Sequence, residues 1–446
     1  MQLSTIPRSA IVFGERLRED YGDLNELASS IKKEGIIQPL AVRYDGDNKY
    51  TLLAGGRRFR AAEIAEVDEI PVRIYPASIS DLEMRSIELM ENVCRKDLTW
   101  IEAAKLRKEI HRLQVQIHGE AKSATGEGWS QDKTAALLGV DRTTISKDLQ
   151  LADALEHIPV LERAKTRADA VKLLKKLTNE VERAHYARQI MTQQETSPLD
   201  RVRREIASRF VVGDFFEMVK QVPNGSIDFV EIDPPYAIEL QDKKTANSEG
   251  LEYYNEVDKK DYVDFLIGTL QETWRVMAEN SWMIIWFAPD PWFEPIYLAM
   301  KAVGLRGNRL PAVWVKGTGQ SLNPERSLAN AYEMFFYAKK GDPKLYKAGR
   351  VNTFMYKPVY SRRKIHPTER PIEMMEDILM TFSPMNGRVL VPFAGSGNTI
   401  LAAANKGMTA FGYDLSSQYR DAFVQRVFES RPPHYKSYSE VLEDAG

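Results

Sequence analysis

At 446 residues the chain exceeds one ordinary domain, and two or three are expected. An apolar share of 43% and a charged share of 28% exclude a globally disordered or low-complexity chain. A formal net charge of −2 excludes a uniformly basic nucleic-acid binder, so any DNA contact must come from local patches.

Residues 1–100 read as a small α/β domain. Leu24, Leu27 and Ile31 recur at helical spacing, which predicts a helix over Glu26–Glu34 that Gly35 stops. Pro39–Tyr44 and Tyr50–Leu53 are short strands around the turn Asp45-Gly46-Asp47-Asn48. Gly55-Gly56 breaks the second strand, a helix follows over Arg57–Ile64, and Ile70–Ile74 is a third strand.

From Asp81 to Arg209 the texture is helical and polar, with a small-residue loop at Gly119–Gly128. Within this region, 101–200, the segment 130–151 reads as helix-turn-helix. Ser130 is a good N-cap, Gly139 sits in the turn, and Ile145 and Leu149 pack the second helix. Arg142, Thr143, Thr144 and Lys147 would then face a DNA major groove. Gln193–Asp200 is the best linker segment.

The third domain, 205–446, alternates strands and helices. Strands are expected at Phe210–Val212, Ile227–Ile232, Trp282–Phe287, Ala312–Val315, Glu333–Ala338, Arg388–Val391 and Ala410–Tyr413. Such alternation predicts a mostly parallel, doubly wound sheet of Rossmann-like kind. Cys94 is the only cysteine and the six histidines are scattered, so no metal site is expected and a reducing cytoplasm fits. No signal-peptide core and no apolar run of roughly 18 residues is present, which argues against a membrane protein.

Asp233-Pro234-Pro235-Tyr236 directly follows the strand Ile227–Ile232, where open α/β sheets bind ligands. The exocyclic amino group of adenine or cytosine is a poor nucleophile, because its lone pair is delocalised into the ring. Acceptors aimed at its hydrogens favour the tetrahedral, nucleophilic nitrogen. The Asp233 carboxylate and the Pro234 carbonyl can be those acceptors, and Tyr236 offers a stacking face for a flipped base. Further on, Phe393, Ala394, Gly395, Ser396, Gly397 and Asn398 form a glycine loop between strand and helix. It lacks the GKS or GKT of a phosphate loop and the third glycine of a dinucleotide fingerprint, since Ile400 stands there. Asp414 ends the next strand, where a carboxylate can bind ribose hydroxyls.

With these motifs in this order, the C-terminal half resembles the amino-group DNA methyltransferases of the β arrangement, over about 210–430. Gly213-Asp214 resembles the family's early GD, whose carboxylate helps bind the adenine of S-adenosyl-L-methionine (SAM). His366-Pro367-Thr368-Glu369-Arg370-Pro371 resembles its HPTxKP segment, which places His366 and Thr368 at the cofactor pocket. Three positions depart from the pattern: Val391 replaces the aspartate of DPFxGSG, Asp414 replaces a frequent glutamate, and Arg370 replaces lysine. DPPY implies N6-adenine as target, with N4-cytosine the alternative. Base-reading residues are expected between Lys340 and Lys364, with Lys347, Arg350, Arg362 and Arg363 as DNA contacts. The polar loop Ala237–Tyr254 would close over a flipped base.

The N-terminal half resembles ParB partition proteins over roughly 1–155. The likeness rests on Ile36-Ile37-Gln38-Pro39-Leu40, on Gly55-Gly56-Arg57-Arg58-Phe59-Arg60-Ala61-Ala62, and on Glu91-Asn92 with Arg95-Lys96-Asp97-Leu98. It implies nucleotide binding, CTP in true ParB proteins, at Gly55, Gly56, Arg57, Arg58, Glu91, Asn92 and Arg95, and a dimeric clamp on double-stranded DNA. Gly56 departs from the family's GERR. The expected molecule is therefore a homodimeric, nucleoid-associated enzyme. The contrasting reading is a ParB-like DNA-binding regulator with an inactive methyltransferase half; methylation of RNA or protein is a third.

Overall fold

The computed structural model describes residues 2–12, 23–93, 98–122, 127–193, 197–235, 257–321, 323–360 and 364–430. It divides into two compact units, Met1–Leu177 and Thr178–Gly446, the division falling inside one helix, Arg167–Thr192. No helix among the described residues is long and apolar enough to cross a membrane.

The first unit has a five-stranded sheet, with β1 Gln2–Pro7, β2 Ile11–Val12, β3 Leu40–Gly46, β4 Lys49–Ala54 and β5 Glu69–Tyr75 in the order β1-β5-β3-β4-β2. The hairpin β3–β4 turns through Asp47 and Asn48, both at positive φ, as the right-handed strand twist requires of a two-residue loop. Leu40, Val42, Leu52, Ile70 and Val72 pack beneath helices α1 (Asn25–Glu34) and α2 (Gly56–Ile64). Gly55 is obligatory between β4 and α2: its φ is +103°, and a Cβ would lie 2.8 Å from Leu40 Cγ. The strand Gln2–Pro7, antiparallel to β5, is an element that alternation alone did not reveal.

Helices α3 (Asp81–Val93) and α4 (Trp100–His118) follow, α4 opening on a reciprocal capping box between Thr99 and Glu102. Next come α5 (Gln131–Leu138) and α6 (Arg142–Leu155), separated by Gly139 in the left-handed conformation. Ser130 caps α5 and Asp141 caps α6. Buried Asp148 on α6 is ion-paired by Arg107 of α4 and by Arg167. The arrangement is that of a helix-turn-helix.

The second unit begins within α7 (Arg167–Thr192) and continues with α8 (Pro198–Ser208), α9 (Phe215–Met218), α10 (Tyr262–Val276) and α11 (Pro289–Ala302). Its sheet comprises β6 Phe210–Val212, β7 Ile227–Ile232, β8 Met277–Phe287, β9 Arg306–Gly307, β10 Ala312–Gln320, β11 Asn330–Lys340, β12 Thr353–Met355, β13 Arg388–Val391 and β14 Thr409–Asp414. The order is β12-β10-β11-β8-β7-β13-β14-β6, with β9 beside β11. Strands β8, β7, β13, β14 and β6 are parallel neighbours. The sheet is mostly parallel, as expected, β10 and β12 included; the exception is strand β11, which runs antiparallel to β8, β9 and β10. An apolar run carries no mark of its direction, and the tight sequence between β10 and β11 leaves no room for a crossover helix. Apolar side chains fill both faces of the sheet.

Candidate active site

The parallel block sets the site. At the carboxyl end of β6 stands Asp214, at that of β7 Asp233, at that of β13 the glycine loop, and at that of β14 Asp414. Four segments far apart in sequence thus open onto one cavity of about 540 Å³, lined by Asp214, Asp233, Pro235, His366, Thr368, Phe393, Gly395 and Asp414 among others. This is the crevice in which open α/β sheets hold ligands.

Each part has a local cause. Asp214 caps the short helix α9 (Phe215–Met218), accepting from the Phe216 and Glu217 amides at 2.8 and 3.3 Å. Burial pushes the Asp414 carboxyl up, while the Gly395 amide at 2.8 Å and the Ser416 amide at 2.9 Å hold its two oxygens. The loop closes tightly: the Gly397 amide donates to Ala394 O at 2.8 Å, and Ala394 donates to Tyr413 O at 2.7 Å. Gly397 has φ +74°, and a Cβ there would collide with the Phe423 ring. Ser396 and Asn398 are buried, and Asn398 begins helix α13 (Asn398–Asn405). Phe393 and Gly395 of the loop line the cavity, while the Ser396 and Asn398 side chains are buried.

His366 is pushed down to about 4 by burial, so its imidazole is neutral at physiological pH. Its Nδ1 lies 3.0 Å from Thr368 Oγ1, and its ring meets Tyr419 edge-on at 4.7 Å. Behind it, buried Glu369 accepts from the Ile365 and His366 amides and from Asn398 Nδ2 at 3.1 Å, and pairs with Arg426 at 2.8 Å. This network fastens the segment around His366 to the start of α13 and to helix α14 (Ser417–Glu429), which carries Arg426.

Arg370 is the feature that the motif reading left undeveloped. Its guanidinium grips both oxygens of Asp233, reaches Glu333 Oε2 at 3.1 Å and lies 3.9 Å over the Trp286 ring. Glu333 in turn pairs with Lys316 at 2.7 Å. The sequence signal for Arg370 was its place in the His366–Pro371 segment; nothing marked Glu333 or Trp286 as its partners. Pro234 and Pro235 follow Asp233 directly, while Tyr236 and the loop to residue 254 lie outside the described residues.

The residues expected to touch DNA are placed variously. Arg142 and Lys147 are exposed on α6, Arg142 lying 3.7 Å from Asp132. The hydroxyls of Thr143 and Thr144 both turn back to the capping Asp141. Lys347 and Arg350 converge on Asp377 at 2.9 and 2.7 Å, and Arg350 also stacks 4.2 Å over Phe354. Lys347 remains half exposed, whereas Arg350 is largely covered. Arg362 and Arg363 lie outside the described residues.

In the first unit, Arg57 and Arg58 border a separate cavity of about 820 Å³ at the start of α2, with Gln38, Arg73 and Met90. Arg57 donates to Asp23 O at 3.2 Å and Arg58 to Gln38 O at 2.7 Å. Glu91 and Asn92 lie in the last turn of α3; Arg95 falls outside the described residues.

Comparison with known proteins agrees with both halves. Residues 227–425 match the family model described as DNA methylase, and residues 2–93 match that of the ParB N-terminal domain. The putative methylase YubD of Escherichia coli is 28% identical over 231 residues, covering 49% of this chain and 90% of that protein. A probable chromosome-partitioning protein ParB of Neisseria meningitidis is 36% identical over 166 residues, covering 35% of this chain. The chain spans only 57% of that ParB protein. Among solved structures, M1.HpyAVI in complex with SAM is 20% identical, covering 50% of this chain and 98% of that one at a TM-score of 0.40.

Proposed function

For a chain that joins a ParB N-terminal domain to a DNA methylase domain, we propose methyl transfer from SAM to the exocyclic N6 of a flipped adenine in duplex DNA. The observation that carries this reading is the convergence of Asp214, Asp233, the glycine loop and Asp414 on one cavity. The residues fit SAM. Asp414 is set for the ribose hydroxyls, Asp214 for the adenine amine, Phe393 for apolar contact, and the loop backbone near Gly395 for close approach.

SAM supplies an electrophilic methyl on a sulfonium, which departs as a neutral thioether. The chain supplies geometry and charge. Asp233 and the Pro234 carbonyl accept the two amino hydrogens, drawing the nitrogen towards tetrahedral geometry as its lone pair attacks the methyl carbon. The proton shed by the methylated nitrogen passes to Asp233 and on to solvent. Arg370 keeps the Asp233 carboxylate oriented until the amino group arrives. His366, neutral, adds no positive charge beside a cationic cofactor.

The N-terminal unit serves this reaction by holding DNA, through Arg142 and Lys147 on α6, in a homodimer that takes a nucleotide such as CTP in the cavity beside Arg57 and Arg58. Calorimetry tests the cofactor assignment. SAM binding is expected in the wild type and a loss of at least tenfold in Asp414→Ala, which removes a charged partner of the ligand. Unchanged binding in the variant contradicts the pocket assignment. N4-methylcytosine as the product would keep the pocket and change the base.

A further inference from the structure

Strand β7 reads Ile227-Asp228-Phe229-Val230-Glu231-Ile232 and lies between two parallel neighbours. Every position from Phe229 to Ile232 is buried, and one of them is a carboxylate. An ionisable group in the middle of a sheet costs stability unless something holds it. Glu231 Oε1 accepts from Trp286 Nε1 at 2.9 Å, and Oε2 accepts from Thr399 Oγ1 at 3.2 Å. Trp286 is the ring beneath Arg370. Thr399 stands in the first turn of α13, directly after the glycine loop. Glu231 therefore joins the floor of the Asp233–Arg370 pair to the helix that carries the cofactor loop.

Its place in the sheet is specific. Strands β7 and β13 pair Phe229 with Val389 and Val230 with Leu390, so the next step of the ladder sets Glu231 beside Val391. Phe229, Val389 and Val391 share one core face, and alternation turns Glu231 to that same face. Val391 is the position at which the methyltransferase pattern writes aspartate. The carboxylate missing from β13 has a counterpart one strand away.

We propose that Glu231 is a positioning residue of the SAM pocket, which ties α13 to the catalytic strand and supplies from β7 the negative charge that the family pattern carries at position 391. The proposal rests on the reading of this pocket as the SAM site. Burial, reinforced by the Asp233 charge, pushes the Glu231 carboxyl up to about 7, with Arg370, Thr399 and Trp286 opposing. The charged groups facing it are thus Asp233, just past the end of its own strand, and Arg370 from the segment before helix α12 (Ile372–Phe382). A cation bound above favours the ionised form. Proton loss from Glu231 then accompanies binding, and SAM affinity rises with pH between about 6 and 8. His366, near 4, titrates outside that window.

The test is SAM calorimetry across that window on the full chain, with melting temperature as the check on folding. Glu231→Gln keeps an acceptor for Trp286 and removes the charge; its affinity is expected to be flat with pH. Glu231→Val is expected to lose about tenfold in affinity, the scale of a charge-assisted hydrogen bond. The double exchange Glu231→Val with Val391→Asp moves the carboxylate to β13 and is expected to recover most of that loss. A Glu231→Gln protein with the wild-type pH slope, or a folded double variant binding no better than Glu231→Val, overturns the proposal. A wild type that binds no SAM at all removes the pocket reading and this inference with it.

Discussion

Arg370 holds both carboxylate oxygens of Asp233, one through Nη1 and the other through Nη2 at 3.0 Å. Two parallel hydrogen bonds of this kind fix the plane of a carboxylate as well as its charge. The acceptor proposed for the amino group is thus oriented before any base arrives.

Removing that clamp is expected to cost rate more than fold. Arg370→Met should lower the single-turnover methylation rate about 100-fold, the usual consequence of misplacing a reacting group by about 1 Å. Arg370→Lys, which keeps the charge and loses the fork, should fall between the two. Equal rates for wild type and Arg370→Met would remove Arg370 from the account.

Gly397→Ala sets a side chain at φ +74° against Phe423. The expected cost is about 1–3 kcal/mol of stability from overpacking and backbone strain, with loss of SAM binding. Denaturant unfolding measures the first and calorimetry the second.

Stability should respond to pH through two buried groups acting in opposite senses. His366 is lowered to about 4 from 6.5, so its unfolded form binds more protons between those values. Its contribution is complete above about 6.5 and is lost as pH falls towards 4. Glu231 is raised to about 7 from 4.5, so its contribution is complete below about 4.5 and is lost as pH rises through 7. Melting temperatures against pH should show a shallower acid limb in His366→Asn. In Glu231→Gln the loss between about 4.5 and 7 should disappear.

On α6, Lys147→Ala should weaken DNA binding uniformly across sequences and reduce the salt slope of log K by about 1, if it neutralises one phosphate. Titrations at several salt concentrations measure this. An unchanged slope would place Lys147 away from the backbone.

Much of the site was legible because strand ends announce themselves. Asp233, Asp414 and the glycine loop each follow an apolar run, and a parallel block brings such ends to one edge. Gly139 and the cap Ser130 likewise marked the helix-turn-helix, since their local conformations are dictated locally, whereas the Asp141 cap of α6 emerged only in the structure. What could not be read was pairing across the fold. The hold of Asp377 on Lys347 and Arg350 joins residues 30 and 27 apart, and the Glu231–Thr399 bond joins residues 168 apart. No periodicity encodes those meetings. The antiparallel run of β11 was missed for the same reason, because β11 declares itself as a strand and not its direction.

The most direct test incubates the protein with SAM and unmethylated genomic DNA, then digests the DNA to nucleosides for mass spectrometry, with Asp233→Ala in parallel. The account predicts N6-methyladenine in the wild type and none in the variant. No methylated base from a wild type that also fails to bind SAM would contradict it, and would leave the chain a ParB-like DNA-binding protein with an inactive methylase half.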